Sequence, residues 1–129
     1  VATILLVEDS VRWCRDILAD FAKLDAWSDD ETVFHVAHTI ADAEALWFKH
    51  GADVDAVLMD ACVPGDEPNT QGLVRRIRRE EFTGPIICIS SLREYGEMLI
   101  AAGCDTYCPK GSPALPTRVY ELLTPSTAP

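Results

Sequence analysis

The sequence predicts an α/β fold, a doubly wound (βα)5 sandwich built on a five-stranded parallel sheet. Three observations carry that expectation. Five short β-branched or apolar runs alternate strictly with five helix-patterned segments. Strict alternation demands parallel strands joined by helical crossovers. Runs as continuously apolar as 4–7 and 86–89 suit strands covered on both faces, which is where parallel strands lie.

The first strand is Thr3-Ile4-Leu5-Leu6-Val7, and a helix follows over about 10–24. In that helix Trp13, Ile17, Phe21 and Leu24 recur at helical spacing and should face the sheet. Val11, Cys14 and Leu18 are left on an adjoining flank, available to a helical partner. An acidic surface loop over 25–31 leads to the second strand, Thr32-Val33-Phe34-His35-Val36. Thr39 through Asp42 is an acidic variant of the capping box that opens a helix over 40–50. Ala56-Val57-Leu58-Met59 is the third strand, with a helix over 72–82 after a polar loop. Pro85-Ile86-Ile87-Cys88-Ile89 is the fourth, and Ser91-Leu92-Arg93-Glu94 reads as a capping box for a helix over 92–102. Thr106-Tyr107-Cys108 is the fifth strand. The last helix, 114–123, must be short, because Pro113 and Pro116 are tolerated only in a first turn.

A chain of 129 residues is one domain at roughly 150 residues per domain, with 1–124 folded and 125–129 a tail or the start of a linker. The balance of 21 Asp and Glu against 11 Lys and Arg gives a net charge of -10, which disfavours direct binding to nucleic acid or an anionic membrane. No apolar run approaches the roughly 18 residues of a membrane helix, and no export signal is visible. The cysteines 14, 62, 88, 104 and 108 are odd in number, scattered among apolar neighbours and without a CxxC pair. They read as reduced, buried thiols of a cytoplasmic protein.

In an open parallel sheet a site lies beyond the carboxyl ends of the strands, near the point where strand order reverses. The first strand closes on Glu8-Asp9, the third on Asp60 and the fourth on Ser90-Ser91, while the fifth leads through Pro109 to Lys110. Three neighbouring carboxylates repel, so a hard divalent cation must neutralise them or at least one pKa must rise. Mg2+ fits oxygen donors of this kind, and a lysine with a hydroxyl beside it suits developing phosphoryl charge. The chemistry implied is phosphoryl transfer with an Asp as nucleophile.

Four stretches carry a resemblance: Leu5-Leu6-Val7-Glu8-Asp9, Val57-Leu58-Met59-Asp60 with Pro64 four residues on, Pro85 through Ser91, and Gly103 through Lys110. In this order and at strand ends, they make the chain from Ile4 to about Leu123 similar to a response-regulator receiver domain of two-component signalling. The resemblance implies that Asp60 accepts a phosphoryl group from a phosphohistidine of a histidine kinase or histidine phosphotransfer domain. It implies Mg2+ held directly by Asp9 and Asp60, by Glu8 largely through water, and by the Cys62 carbonyl. Lys110 and Ser90 would bind the phosphoryl oxygens, and Tyr107 would change rotamer as a switch. A surface formed by the fourth helix, fifth strand and fifth helix would then meet a downstream protein or an output domain outside this chain. The alternative is a receiver-shaped binding module that acts without phosphorylation.

Three features depart from the receiver pattern. The glycine that usually opens the third helix is Gly72, so the 61–71 loop is longer, and it carries Asp66 and Glu67. Lys110 is followed by Gly111 where the family usually has proline, and the two prolines crowd the last helix. A dehalogenase-type phosphatase would need a second Asp at the position of Cys62, and a flavin binder would not place Glu8-Asp9 against a phosphate. His35 and His38 are expected to be structural. Arg75, Arg76, Arg78 and Arg79, followed by Glu80 and Glu81, read as a solvated face with local ion pairs.

Overall fold

The computed structural model describes residues 2–24, 27 and 32–124. The acidic stretch 25–31, apart from Trp27, and the tail 125–129 lie outside the described residues. The strands are β1 (Thr3–Val7), β2 (Val33–Ala37), β3 (Ala56–Asp60), β4 (Ile86–Ser90) and β5 (Thr106–Pro109). They alternate with α1 (Val11–Ala22), α2 (Ile40–His50), α3 (Gln71–Arg79), α4 (Arg93–Ala102) and α5 (Leu115–Leu123). All strand pairs are parallel and the order is β2-β1-β3-β4-β5, so the expected doubly wound sheet is present.

Side-chain alternation along the strands divides the core in two. Ile4, Leu6, Leu58, Ile87 and Ile89 face α1 and α5, where Ile17, Phe21, Leu115 and Val119 cover them. Leu5, Val7, Val57, Met59 and Cys88 face the other way, under Trp47, Leu73, Val74, Ile77 and Leu99. Every residue of β3 and β4 is buried, and each fully buried Ile or Leu contributes about 1.5–3 kcal/mol. The same alternation sorts the strand ends. Glu8, Asp60 and Lys110 continue the rows that face α1 and α5, whereas Ser90 continues the row that faces α3 and α4.

Several local expectations change. Cys14 is buried, not exposed on the α1 flank: its thiol is 3.5 Å from the Glu8 carbonyl and 3.9 Å from His38 Nδ1. Ser91 does not cap α4. The cap position falls on Leu92, and it is Ser90 Oγ that accepts the Leu92 N–H, at 3.2 Å. Thr39 does cap α2, accepting the Asp42 N–H at 3.0 Å. The third helix ends at Arg79, three residues early, because Glu81 turns to φ 69° and Phe82 folds back edge-on against Trp47 at 5.2 Å. Pro116 lies in the first turn of a nine-residue α5, as its missing N–H requires.

The arginine stripe is not uniformly solvated. Arg76 pairs with Glu44 at 2.7 Å and Glu80 at 3.3 Å on the surface. Arg78 instead donates to the carbonyls of Gly103, Phe82 and Gly84 and to Asp105 Oδ2, at 2.7–2.9 Å, and ties α3 to the turn before β5. His35 stacks on His50 with centroids 4.1 Å apart, and His38 Nδ1 meets the Glu8 carbonyl at 2.9 Å, so both histidines are structural.

Candidate functional site

The register of the two central strands sets the acidic pair side by side. Val7 is partnered with Met59, so the next residues along β1 and β3 are Glu8 and Asp60. The Glu8 N–H still bonds to the Ala37 carbonyl at 2.9 Å, which holds this residue on the sheet, and the chain then leaves through Asp9 to Ser10. Ser10 caps α1 by accepting the Trp13 N–H at 3.2 Å. On the other side Thr70, fully buried, donates its hydroxyl to the carbonyls of Asp60 at 2.8 Å and Ala61 at 3.2 Å, which fixes the turn that follows β3.

Glu8, Asp9 and Asp60 each offer a carboxylate oxygen, and these oxygens lie within 4.8 Å of one another. Lys110 Nζ enters from β5, 2.7 Å from Glu8 Oε1 and 3.2 Å from Asp60 Oδ2. Its backbone N–H is pinned to the Ser90 carbonyl at 2.9 Å. The Cys62 N–H donates to Asp60 Oδ1 at 3.4 Å. A cleft of about 510 Å3 opens over this group, lined by Asp9, Trp13, Asp60, Cys62, Ser90 and Lys110 among others. A larger cleft, about 700 Å3, opens by Trp47, Phe48 and Phe82 at the opposite pole of the sheet and touches none of the strand-end carboxylates.

Glu8 is the electrostatic key. It is 0% exposed, the ammonium approaches it off hydrogen-bond angles, and neither of its oxygens receives a hydrogen bond. Burial, then the neighbouring Asp60 carboxylate, pushes its pKa up to about 9, with Lys110 opposing. Burial works against the charge of Lys110, but Glu8 and Asp60 outweigh it and hold the lysine above its ordinary value. Burial and the Asp60 charge raise the Cys62 thiol, and burial followed by Glu8 and Asp9 raises Cys14 to about 11, so neither is an activated nucleophile. A buried carboxyl without a donor, beside two further carboxylates and one ammonium, is a donor set suited to a hard divalent cation.

The structure brings Asp9, Asp60, Cys62, Ser90 and Lys110 to one cleft, with Glu8 buried beneath it. Tyr107 lies apart from the carboxylates, half-buried beside α4, with its hydroxyl donating to the Ser90 carbonyl at 3.0 Å. Sequence reasoning missed Thr70, whose hydroxyl shows no pattern without the turn it closes. It also missed the two ends of the long loop. Asn69 exchanges bonds with Val63, N–H to Oδ1 at 2.8 Å and Nδ2 to O at 3.0 Å. The Tyr95 hydroxyl of α4 donates to the Asp66 carbonyl at 2.9 Å.

No family model and no curated protein matches this sequence. Solved structures do match. The signal receiver domain of a DNA-binding response regulator from Colwellia psychrerythraea 34H superposes with TM-score 0.75 at 18% identity, over 95% of this chain and 98% of that one. The BeF3-activated N-terminal receiver domain of Klebsiella pneumoniae RstA gives 0.74 at 24% identity, over 95% and 99%. A CheY-like receiver domain protein from Methanospirillum hungatei JF-1 gives 0.75 at 18% identity, over 95% and 94%. The fold of this chain is that of response-regulator receiver domains.

Proposed function

We propose that this chain is a phosphoaccepting receiver domain whose nucleophile is Asp60. The observation that carries the reading is the convergence of Glu8, Asp9 and Asp60 within 4.8 Å, with Lys110 Nζ against two of them, on the fold that receivers share. A carboxylate oxygen of Asp60 forms a bond to phosphorus as the bond to a histidine nitrogen of a kinase or phosphotransfer domain breaks. The electron pair of that bond leaves with the imidazole, and an acyl phosphate remains on Asp60. Asp9, Asp60 and the Cys62 carbonyl would hold Mg2+, with Glu8 behind them. The ion supplies charge neutralisation for the transferred group. Lys110 places a fixed positive charge, and Ser90 a hydroxyl, where the phosphoryl oxygens come to rest.

The signal then leaves through the far side of Ser90. A Ser90 hydroxyl drawn toward phosphoryl oxygens shifts the β4–α4 turn, and Tyr107, bonded to the Ser90 carbonyl, changes rotamer with it. The α4, β5 and α5 surface that a downstream protein or output domain reads changes as a result. Among the described residues no helix is long and apolar enough to cross a membrane, and all five cysteines are free thiols. Incubation with Mg2+ and a small acyl-phosphate donor, followed by intact mass, tests the reading. One added phosphoryl group, labile to hydroxylamine and absent from Asp60→Asn, is the expected result. An unmodified chain would leave the phosphorylation-independent binding module as the reading.

A further inference from the structure

We propose that Trp13 is a positioning residue for Lys110, holding the ammonium against the carboxylates from the α1 side. The inference rests on the phosphoacceptor reading of the cleft, but its geometry comes from three residues outside the carboxylate group. The Lys110 ammonium lies 5.6 Å from the centroid of the Trp13 ring, within the range of a cation–π contact. The same indole rests on the next residue. A Cβ placed on Gly111 would come within 3.2 Å of both Cη2 and Cζ3 of Trp13. Gly111 also takes φ 85°, a conformation that side chains disfavour. One indole thus lies close both to the head of the lysine and to the residue that follows it.

The contact has a chemical consequence. Lys110 Nζ has Glu8 and Asp60 on one side, at 2.7 and 3.2 Å, and its side chain is only 10% exposed. The indole covers another side of the ammonium, which keeps the charge close to the carboxylates and to the place where phosphoryl oxygens would arrive. The turn after the lysine passes through Gly111 at φ 85°, with the Trp13 ring close beside it. Sequence spacing read Trp13 as a core residue of α1. Its partial burial, and its place lining both the acidic cleft and a small neighbouring cavity with Gly111, fit a contact with the site.

The test compares wild type with Trp13→Phe, Trp13→Leu and Gly111→Ala, each checked for folding by circular dichroism. Trp13→Phe keeps an aromatic face and Trp13→Leu keeps apolar cover without one. Phosphorylation by a small acyl-phosphate donor should stay near the wild-type rate in Trp13→Phe and fall about three- to tenfold in Trp13→Leu. In a Lys110→Ala background, Trp13→Leu should add nothing. Equal rates for Leu and Phe, or an equal loss in the Lys110→Ala background, would overturn the proposal.

A second readout needs no phosphoryl chemistry. The ε-methylene protons of Lys110 should be ring-current shifted in wild type and Trp13→Phe, and should relax toward ordinary lysine values in Trp13→Leu. Ordinary shifts in wild type would remove the contact itself. If instead the shifts are present and the wild type takes up no phosphoryl group, the phosphoacceptor reading has failed and the contact stands. Gly111→Ala, which can settle only by moving the indole, should reduce both the shift and the rate.

Discussion

Tyr107 lies on Gly96: a Cβ built on that glycine would run into the ring, while the phenolic hydroxyl reaches over to the Ser90 carbonyl at 3.0 Å. A glycine inside a helix costs about 0.5–1 kcal/mol relative to alanine, so its presence in α4 needs a local reason. The reason is the aromatic ring that occupies the missing side chain's place. Tyr107 therefore couples α4 to the strand end that carries Ser90.

Gly96→Ala should for this reason destabilise by about 1–3 kcal/mol, against the direction helix propensity predicts, because the ring must leave its seat. In a Tyr107→Ala background the sign should reverse and Gly96→Ala should stabilise. Chemical denaturation of the four proteins of this cycle measures the coupling. Additive effects would mean that the two residues do not share a seat.

The pH dependence follows from Glu8. Its folded-state pKa, about 9, lies above the ordinary value of 4.5 that describes it unfolded. The stability it contributes is therefore complete below pH 4.5 and is lost as pH rises toward 9. Glu8→Gln should flatten that part of the profile and be more stable than wild type at pH 8 when no divalent ion is added. Ion binding needs the carboxylates deprotonated, so the Mg2+-induced rise in melting temperature should grow from pH 6 to pH 8 and shrink in Asp9→Asn. A shift that is independent of pH would contradict a protonated Glu8.

Arg78 shows where the sequence was legible and where it was not. The five strands and five helices could be read because each buries an apolar face whose period is written in adjacent residues. The carboxylates, Ser90 and Lys110 could be read because they close strands, and parallel topology gathers strand ends. Arg78 looks in sequence like Arg75, Arg76 and Arg79. Only the tertiary approach of the turns at 82–84 and 103–105 gives it four acceptors. The contact of Gly96 with Tyr107, and that of Trp13 with Lys110, likewise join residues distant along the chain, and no local pattern encodes them. Cys14 was misplaced because helical spacing alone does not say how far a helix rolls toward its sheet. Arg78→Lys should cost about 2–3 kcal/mol, since an ammonium cannot serve the spread of carbonyls a guanidinium reaches, whereas Arg75→Lys should be close to neutral.

The loop after β3 is held by hydrogen bonds of its own and by one from α4. Deleting 66–69 would remove Asn69, whose paired bonds to Val63 close the loop, together with the Asp66 carbonyl that receives Tyr95. Asn69→Ala should destabilise by about 1–2 kcal/mol. Tyr95→Phe removes one surface bond only and should leave stability within about 0.5 kcal/mol. Because Tyr95 and Asp66 both line the acidic cleft, Tyr95→Phe should nonetheless change phosphorylation or dephosphorylation rates several-fold. Identical rates in Tyr95→Phe and wild type would show that this bond does not govern access.

The first helix offers the last prediction. With Cys14 turned into the core, the flank beside the acidic site is reduced to Val11, 60% exposed, and the half-buried Leu18 two turns further along the same face. Val11 stands at the first helical position after the Ser10 cap, two residues past Asp9, where on the proposed reading a phosphohistidine-bearing helix would approach to deliver its group. An apolar side chain so exposed adds nothing to the domain's own core, so replacing it should leave folding unchanged. Val11→Lys should preserve phosphorylation by a small acyl-phosphate donor, which needs only Asp60 and its neighbours. It should slow transfer from a cognate phosphohistidine protein about tenfold, the loss expected if a central contact worth ~1.4 kcal/mol is removed. Equal slowing with both donors would place the effect in the chemistry of the cleft. Unchanged transfer from the protein donor would show that the partner approaches over another surface.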